Sequence, residues 1–138
     1  MTSFTVDDAA KTLADNFAHW VLALGIKPDA VSAQGATLRI PANPQLCRVG
    51  GILCGQALAS GADTAMVIAL ASAMGSLRPL TTVDMTINFM RPIAAVDALL
   101  EAKVMRLGKT LAFCTCEIRA TDSDKPAAFA TGTYALIA

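Results

Sequence analysis

The stretch GQALASGADTAMVIALASAMGS, residues 55–76, carries one charged side chain, Asp63, among alanines, methionines and branched aliphatics. It favours helix throughout, and its apolar residues fall on every face. A helix without a polar stripe has to be enclosed on most sides. The rest of the chain must therefore supply a wrapping, and the wrapping must accommodate a carboxylate.

The apolar run from Ile52 to Leu77 reaches membrane-spanning length. Asp63 near its middle, Gln56, and the glycines at 55, 61 and 75 count against a span, because an ionisable group at bilayer depth is costly. No aromatic belt flanks the run. The reading is a core helix from about 53 to 74, stopped by Gly75 and Pro79. The chain has 138 residues, 54% of them hydrophobic and 16% charged. That suits a single domain over 1–138 with more apolar surface than a monomer needs, so a homodimer or a dimer of dimers is expected.

Elsewhere the periodicities differ. Thr5 and Asp8 form a capping-box pair, and Phe4, Leu13, Phe17, Trp20, Val21 and Leu24 then fall on one stripe, which predicts a helix from about 7 to 24 ended by Gly25 and Pro28. VSAQGATLRI turns β-like toward its end and predicts one strand before the core helix. After the core helix, Val83, Met85, Ile87 and Phe89 alternate with Asp84, Thr86 and Asn88, the period of a half-buried strand. Strand-like segments follow near 98–107, 110–120 and 127–137, separated by the turn-like LGK and TDSDKP, which predicts consecutive antiparallel pairing. The fold class is α+β, a sheet that curls around one long helix.

Eleven basic and eleven acidic residues are spread without runs, which excludes a surface that neutralises a row of phosphates or grips an anionic bilayer. Neither nucleic acid nor membrane is an expected partner. MTSFTVDDAAK lacks the basic-then-apolar order of a signal peptide, and Cys47, Cys54, Cys114 and Cys116 form no CxxC pair. Reduced thiols in the cytoplasm are the plain reading.

Chemistry is expected first at Asp63, since a buried carboxylate without partners costs several kcal/mol. Two readings stay open: a structural side chain bonded to Ser60, Thr64 or a loop, or a general base or nucleophile for ester hydrolysis. The second place is the helix start, where the N–H groups of Cys54, Gly55 and Gln56 can face a developing oxyanion, with a tight turn at Gly55 as the competing reading. Gly55 and Asp63 are eight residues apart, which is about 12 Å at ~1.5 Å per residue on one helix. A reacting carbonyl has to lie within about 3.5 Å of both its attacking group and its oxyanion donors. If both residues serve one site, a second subunit supplies the other half.

The remaining candidates carry less. A Cys54 thiol at a helix N-terminus can be a nucleophile, but His19, the lone histidine, falls on the polar stripe of the first helix and offers it no base. The same lack counts against a dehydratase, which pairs histidine with a carboxylate. Cys114 and Cys116, two apart in a strand, read as packing residues. Arg91 at the end of the NFMRP strand, and Arg106 with Lys109 at a hairpin, suit phosphate or pantetheine-linked groups, with plain solubility as the alternative.

Three segments, RVGGILCGQALASGADTAM, TTVDMTINFMRPI and ATGTYAL, together resemble the hotdog-fold acyl-CoA thioesterases of the phenylacetate-pathway (PaaI-like) type, over about residues 35 to 138. In that family a His-Gly-Gly segment opens the central helix and an acid follows nine residues after the histidine. On this chain the acid is Asp63 and the first glycine is Gly55, while Cys54 and Gln56 replace the histidine and second glycine. The segment is similar to a sub-branch with serine where Cys54 stands. The resemblance implies an antiparallel sheet of five or six strands around the helix, paired subunits, and hydrolysis of acyl-CoA without metal or cofactor. It also implies that Asp63 activates water or attacks the carbonyl. Gly55 and Gln56 N–H would polarise the thioester, and Ser60 and Thr64 would hold the carboxylate or the water. The other reading on the same scaffold is a non-catalytic acyl-CoA or fatty-acyl binding protein.

Overall fold

Helix α3, Gly55–Met74, begins directly after an extended Cys54 and ends on Gly75, whose φ of 86° is left-handed and whose N–H donates to the Ser72 carbonyl. This computed structural model describes residues 3–137. Ala62, Ala65, Met66, Ile68, Ala69, Leu70 and Ala71 of α3 are wholly buried. The apolar window of this helix is long enough to cross a membrane, with mean hydropathy 1.5, but 72% of it lies inside the fold. Small residues set how closely the wrapping approaches. At Gly61 a Cβ would stand 2.8 Å from both Ile40 Cδ1 and Leu100 Cδ2.

The wrapping comprises β1 (Lys27–Ser32), β2 (Gly35–Ile40), β5 (Leu80–Phe89), β6 (Ala98–Leu107), β7 (Leu111–Ala120) and β8 (Ala128–Leu136), with a small two-stranded ribbon of β3 (Cys47–Arg48) and β4 (Ile52–Leu53) in the loop before α3. The six long strands form one antiparallel sheet in the order β1-β2-β6-β7-β8-β5. Leu38, Ile40, Leu100, Cys114, Cys116, Ile118 and Ala130 turn inward onto the helix, so both strand cysteines are core residues.

Three sequence expectations are corrected. The chain before α3 forms a hairpin, not one strand. Its first arm, β1, is an outer strand mostly exposed on both faces and carries Pro28 beside a register shift, so it lacks a readable alternation. The strand after α3 does not pair with its successor. Residues 90–97 form a long connection that carries β6 past β8 and β7 into the interior of the sheet, where it meets β2, and β5 lies beside β8 instead. The first helix is broken: α1 (Val6–Asn16) closes at an extended Phe17, and a short α2 (His19–Leu22) restarts after Ala18. Its capping box is present, with Asp8 N–H to Thr5 Oγ1 at 3.1 Å and Thr5 N–H to Asp8 Oδ2 at 2.9 Å. The break redirects the stripe, so Leu13 and Leu24 reach the core while Trp20 remains 64% exposed.

Candidate active site

Asp63 is half-buried on α3, and the sheet supplies its partners. Its Oδ1 accepts hydrogen bonds from the Tyr134 hydroxyl at 2.8 Å and from Thr82 Oγ1 at 3.1 Å. Thr82 and Tyr134 are cross-strand partners on β5 and β8, so one rung of the sheet meets the carboxylate. The helix residues expected to hold it do not. Thr64 Oγ1 donates to the Ser60 carbonyl at 2.8 Å, and no hydrogen bond links either side chain to Asp63. A serine or threonine hydroxyl in mid-helix finds the carbonyl four residues back more readily than a neighbour across the turn.

Tyr134 is fully buried, and burial first, then the negative charge of Asp63 and the hydrogen bond to it, push its phenol well above the ordinary range. It therefore stays a neutral donor. Among the described residues Asp63 belongs to no ion pair. Sequence reasoning missed both donors. For Tyr134 a signal existed: a lone tyrosine in phase with Ala130 and Gly132 on the buried face of a strand needs a partner for its hydroxyl. For Thr82 the signal was misleading. A bulge between Thr82 and Asp84 shifts the phase of β5, turning Thr82 toward the helix and leaving Val83 58% exposed, where the alternation predicts Val83 inside.

At the start of α3, Cys54 occupies the N-cap position without making a side-chain cap bond. Its N–H donates to the Leu46 carbonyl at 3.0 Å, which removes it from the expected oxyanion donors. The amides of Gly55 and Gln56, in the first turn of α3, meet no acceptor among the described residues and point out of the helix end. Gly55 opens on a cleft of about 410 Å³ lined also by Arg48, Leu58, Phe89, Arg91 and Ile93. The Phe89 ring lies against Gly55, where a Cβ would stand 3.3 Å from Cζ. Arg91 donates to the Pro126 carbonyl at 2.7 Å. Arg48, which sequence reasoning did not single out, is a second guanidinium on this cleft.

The candidate cations separate. Arg91 lies with Gly55, whereas Arg106 and Lys109 are exposed at the β6–β7 hairpin, whose register through Leu107, Ala112 and Tyr134 places it toward the Asp63 end of the sheet. His19 is exposed on α2.

Residues 50–127 match the profile of the thioesterase superfamily. The chain belongs to this superfamily. The sheet wrapped around α3 is its hotdog fold, and membership supports thioester hydrolysis as the general activity. Among solved structures, a conserved protein of Pseudomonas aeruginosa is 28% identical, with a TM-score of 0.80 over 88% of this chain and 95% of that one. The zebra fish thioesterase superfamily member 2 is 25% identical, with a TM-score of 0.86 over 98% of this chain and the whole of its own. A Haemophilus influenzae thioesterase, at 19% identity and a TM-score of 0.86 over 99% and 92%, shares the fold. A search of curated proteins finds no match.

Proposed function

We propose that this thioesterase-superfamily protein hydrolyses an acyl-CoA thioester to the free acid and coenzyme A, in a site shared by two subunits and of the phenylacetate-pathway type. The observation that carries the reading is the pairing of a half-buried, donor-held carboxylate with free amides eight residues away on the same helix. At ~1.5 Å per residue the two are about 12 Å apart, too far for one carbonyl to touch both within a chain. A second copy closes that distance. β5 is an outer strand with one unpaired edge, and Val83 and Phe89 on it, with Met90 just beyond, are 58%, 52% and 49% exposed, an apolar edge that another β5 can cover.

In this reading the thioester carbonyl oxygen lies against Gly55 N–H, assisted by Gln56 N–H, and the partner's carboxylate approaches the carbonyl carbon. Asp63 either takes a proton from water as the water attacks, or attacks directly to form an anhydride that water then opens. The C–S bond breaks and the thiolate leaves with a proton. Arg91 at one end and Arg106 with Lys109 at the other are groups for the phosphates of coenzyme A. Free thiols at all four cysteines fit a reducing compartment such as the cytoplasm. Replacement of the family histidine by Cys54 favours a second reading, an acyl-CoA binding protein without turnover.

The test is a screen of short, medium, long and aromatic acyl-CoAs with a thiol-reactive dye, repeated on Asp63→Asn. Hydrolysis that disappears in the variant, with the dimer still folded, is the expected result. Equal turnover in both proteins removes Asp63 from the mechanism, and acyl-CoA binding without release of thiol supports the second reading.

A further inference from the structure

Both donors to Asp63 reach the same oxygen. The Tyr134 hydroxyl at 2.8 Å and Thr82 Oγ1 at 3.1 Å converge on Oδ1, and no group among the described residues donates to Oδ2. In water the two oxygens of a carboxylate are interchangeable, because its terminal torsion is soft and nearly two-fold. Here the sheet breaks that equivalence.

The stronger donor is also the more rigid. Tyr134 is wholly buried, and its ring fills the notch left by Gly132, where a Cβ would stand 2.9 Å from Tyr134 Cε2 and 3.0 Å from Met66 Sδ. A ring held in this way cannot swing aside, and its hydroxyl finds its shortest contact at Oδ1. Thr82, on the solvent side of the same rung, completes the grip. We propose that Tyr134 is a positioning residue which, with Thr82, pins Asp63 Oδ1 and so assigns the reaction to Oδ2.

This inference rests on the hydrolytic role of Asp63 and specifies which atom acts. With Asp63 as a base, Oδ2 receives the proton of the attacking water, the water oxygen bonds the carbonyl carbon, and the proton then follows the departing thiolate. With Asp63 as a nucleophile, Oδ2 itself forms the C–O bond. Tyr134 keeps its proton in both cases. Few groups complicate its titration. Asp84, the next paired residue on β5, registers with Thr133 on the opposite face of the sheet. On β7 the thiols of Cys114 and Cys116 are pushed up to about 12 by burial, so they stay neutral in an ordinary assay.

The test uses the full chain. In Tyr134→Phe the ring remains and the donor is lost. The expected result is a kcat lower by about tenfold or more with KM within about twofold, since the lost contact serves the reacting carboxylate and not substrate binding. Thr82→Val should change kcat in the same direction by less, and Thr82→Ser should recover it. A Tyr134→Phe enzyme with unchanged kcat, or one altered only in KM, overturns the inference. If that variant does not fold, the Thr82 pair decides, and equal kcat in Thr82→Val and Thr82→Ser overturns it.

One readout needs no turnover. Tyr134 is the chain's only tyrosine, so tyrosine labelled with carbon-13 at Cζ gives one resonance that reports its hydroxyl alone. At neutral pH that resonance should move in Asp63→Asn relative to the parent protein, and coincident resonances would show that the pair is not bonded. A parent protein inactive on every acyl-CoA would instead defeat the hydrolytic reading, with the tyrosine resonance still deciding the contact.

Discussion

Tyr134, Cys114 and Cys116 place three weak acids where water does not reach, and each is cheaper to keep neutral in the folded chain than in the unfolded one. The two thiols rise from 9.0 to about 12, and the phenol rises further, through burial first and then the charge of Asp63. The sign of the linkage follows. In the alkaline range the folded state binds more protons than the unfolded state, so stability is fully present below the unfolded pKa values and falls as pH climbs from about 9 through about 12. Urea midpoints measured at successive pH values above neutrality should decline accordingly. Cys116→Ala should flatten the decline, and a parallel decline in that variant would show that the thiol does not contribute. Asp63 was legible as the residue in need of an explanation, because charge on an all-apolar helix stands out in any sequence. Its holders were not, because Thr82 and Tyr134 lie 19 and 71 residues away along the chain, and only strand pairing brings them together.

The elements depend on a few close approaches that composition does not reveal. Gly35 opens β2 where a Cβ would come within 2.3 Å of the Ala102 carbonyl oxygen on β6. That atom belongs to the backbone of a central strand and cannot yield as a side-chain tip can. Gly35→Ala should therefore cost about 2 kcal/mol or more in urea unfolding. Gly51→Ala, which meets nothing within 4 Å but holds φ at 74°, should cost about 1 kcal/mol from backbone strain alone. The reverse order would show that β2 and β6 separate easily at this point. The core helix and the strands from 98 onward were readable to within about two residues, because periodicity and turn chemistry agree there. The broken first helix, the β1–β2 hairpin and the bulge in β5 were not: the helix breaks at an extended Phe17, β1 is exposed on both faces and shows no alternation, and the bulge inverts the period of β5 after Thr82.

At the scale of the whole molecule, the proposed shared site makes a prediction that neither half makes alone. Asp63→Asn removes the carboxylate, and Gly55→Val blocks the approach to the amide. Each variant by itself should be inactive. Co-expressed, half of the dimers are mixed, and each mixed dimer pairs an intact Gly55 with an intact Asp63 at one of its two sites, so about a quarter of parental turnover should return. No recovery in a demonstrated mixed dimer would place both residues in a site within one chain, or outside the site altogether. The sequence by itself determined that a long apolar helix had to be wrapped, that an antiparallel sheet followed to wrap it, and that Asp63 and Gly55 were the residues to explain, because hydrophobic period, helix stops and an isolated charge are local quantities. The tertiary structure decided that β5 crosses to pair with β8, and therefore that Thr82 and Tyr134 face Asp63 and hold one of its oxygens. Strand order and bulge phase are set by the packing of the whole sheet around α3, and no window of sequence contains them.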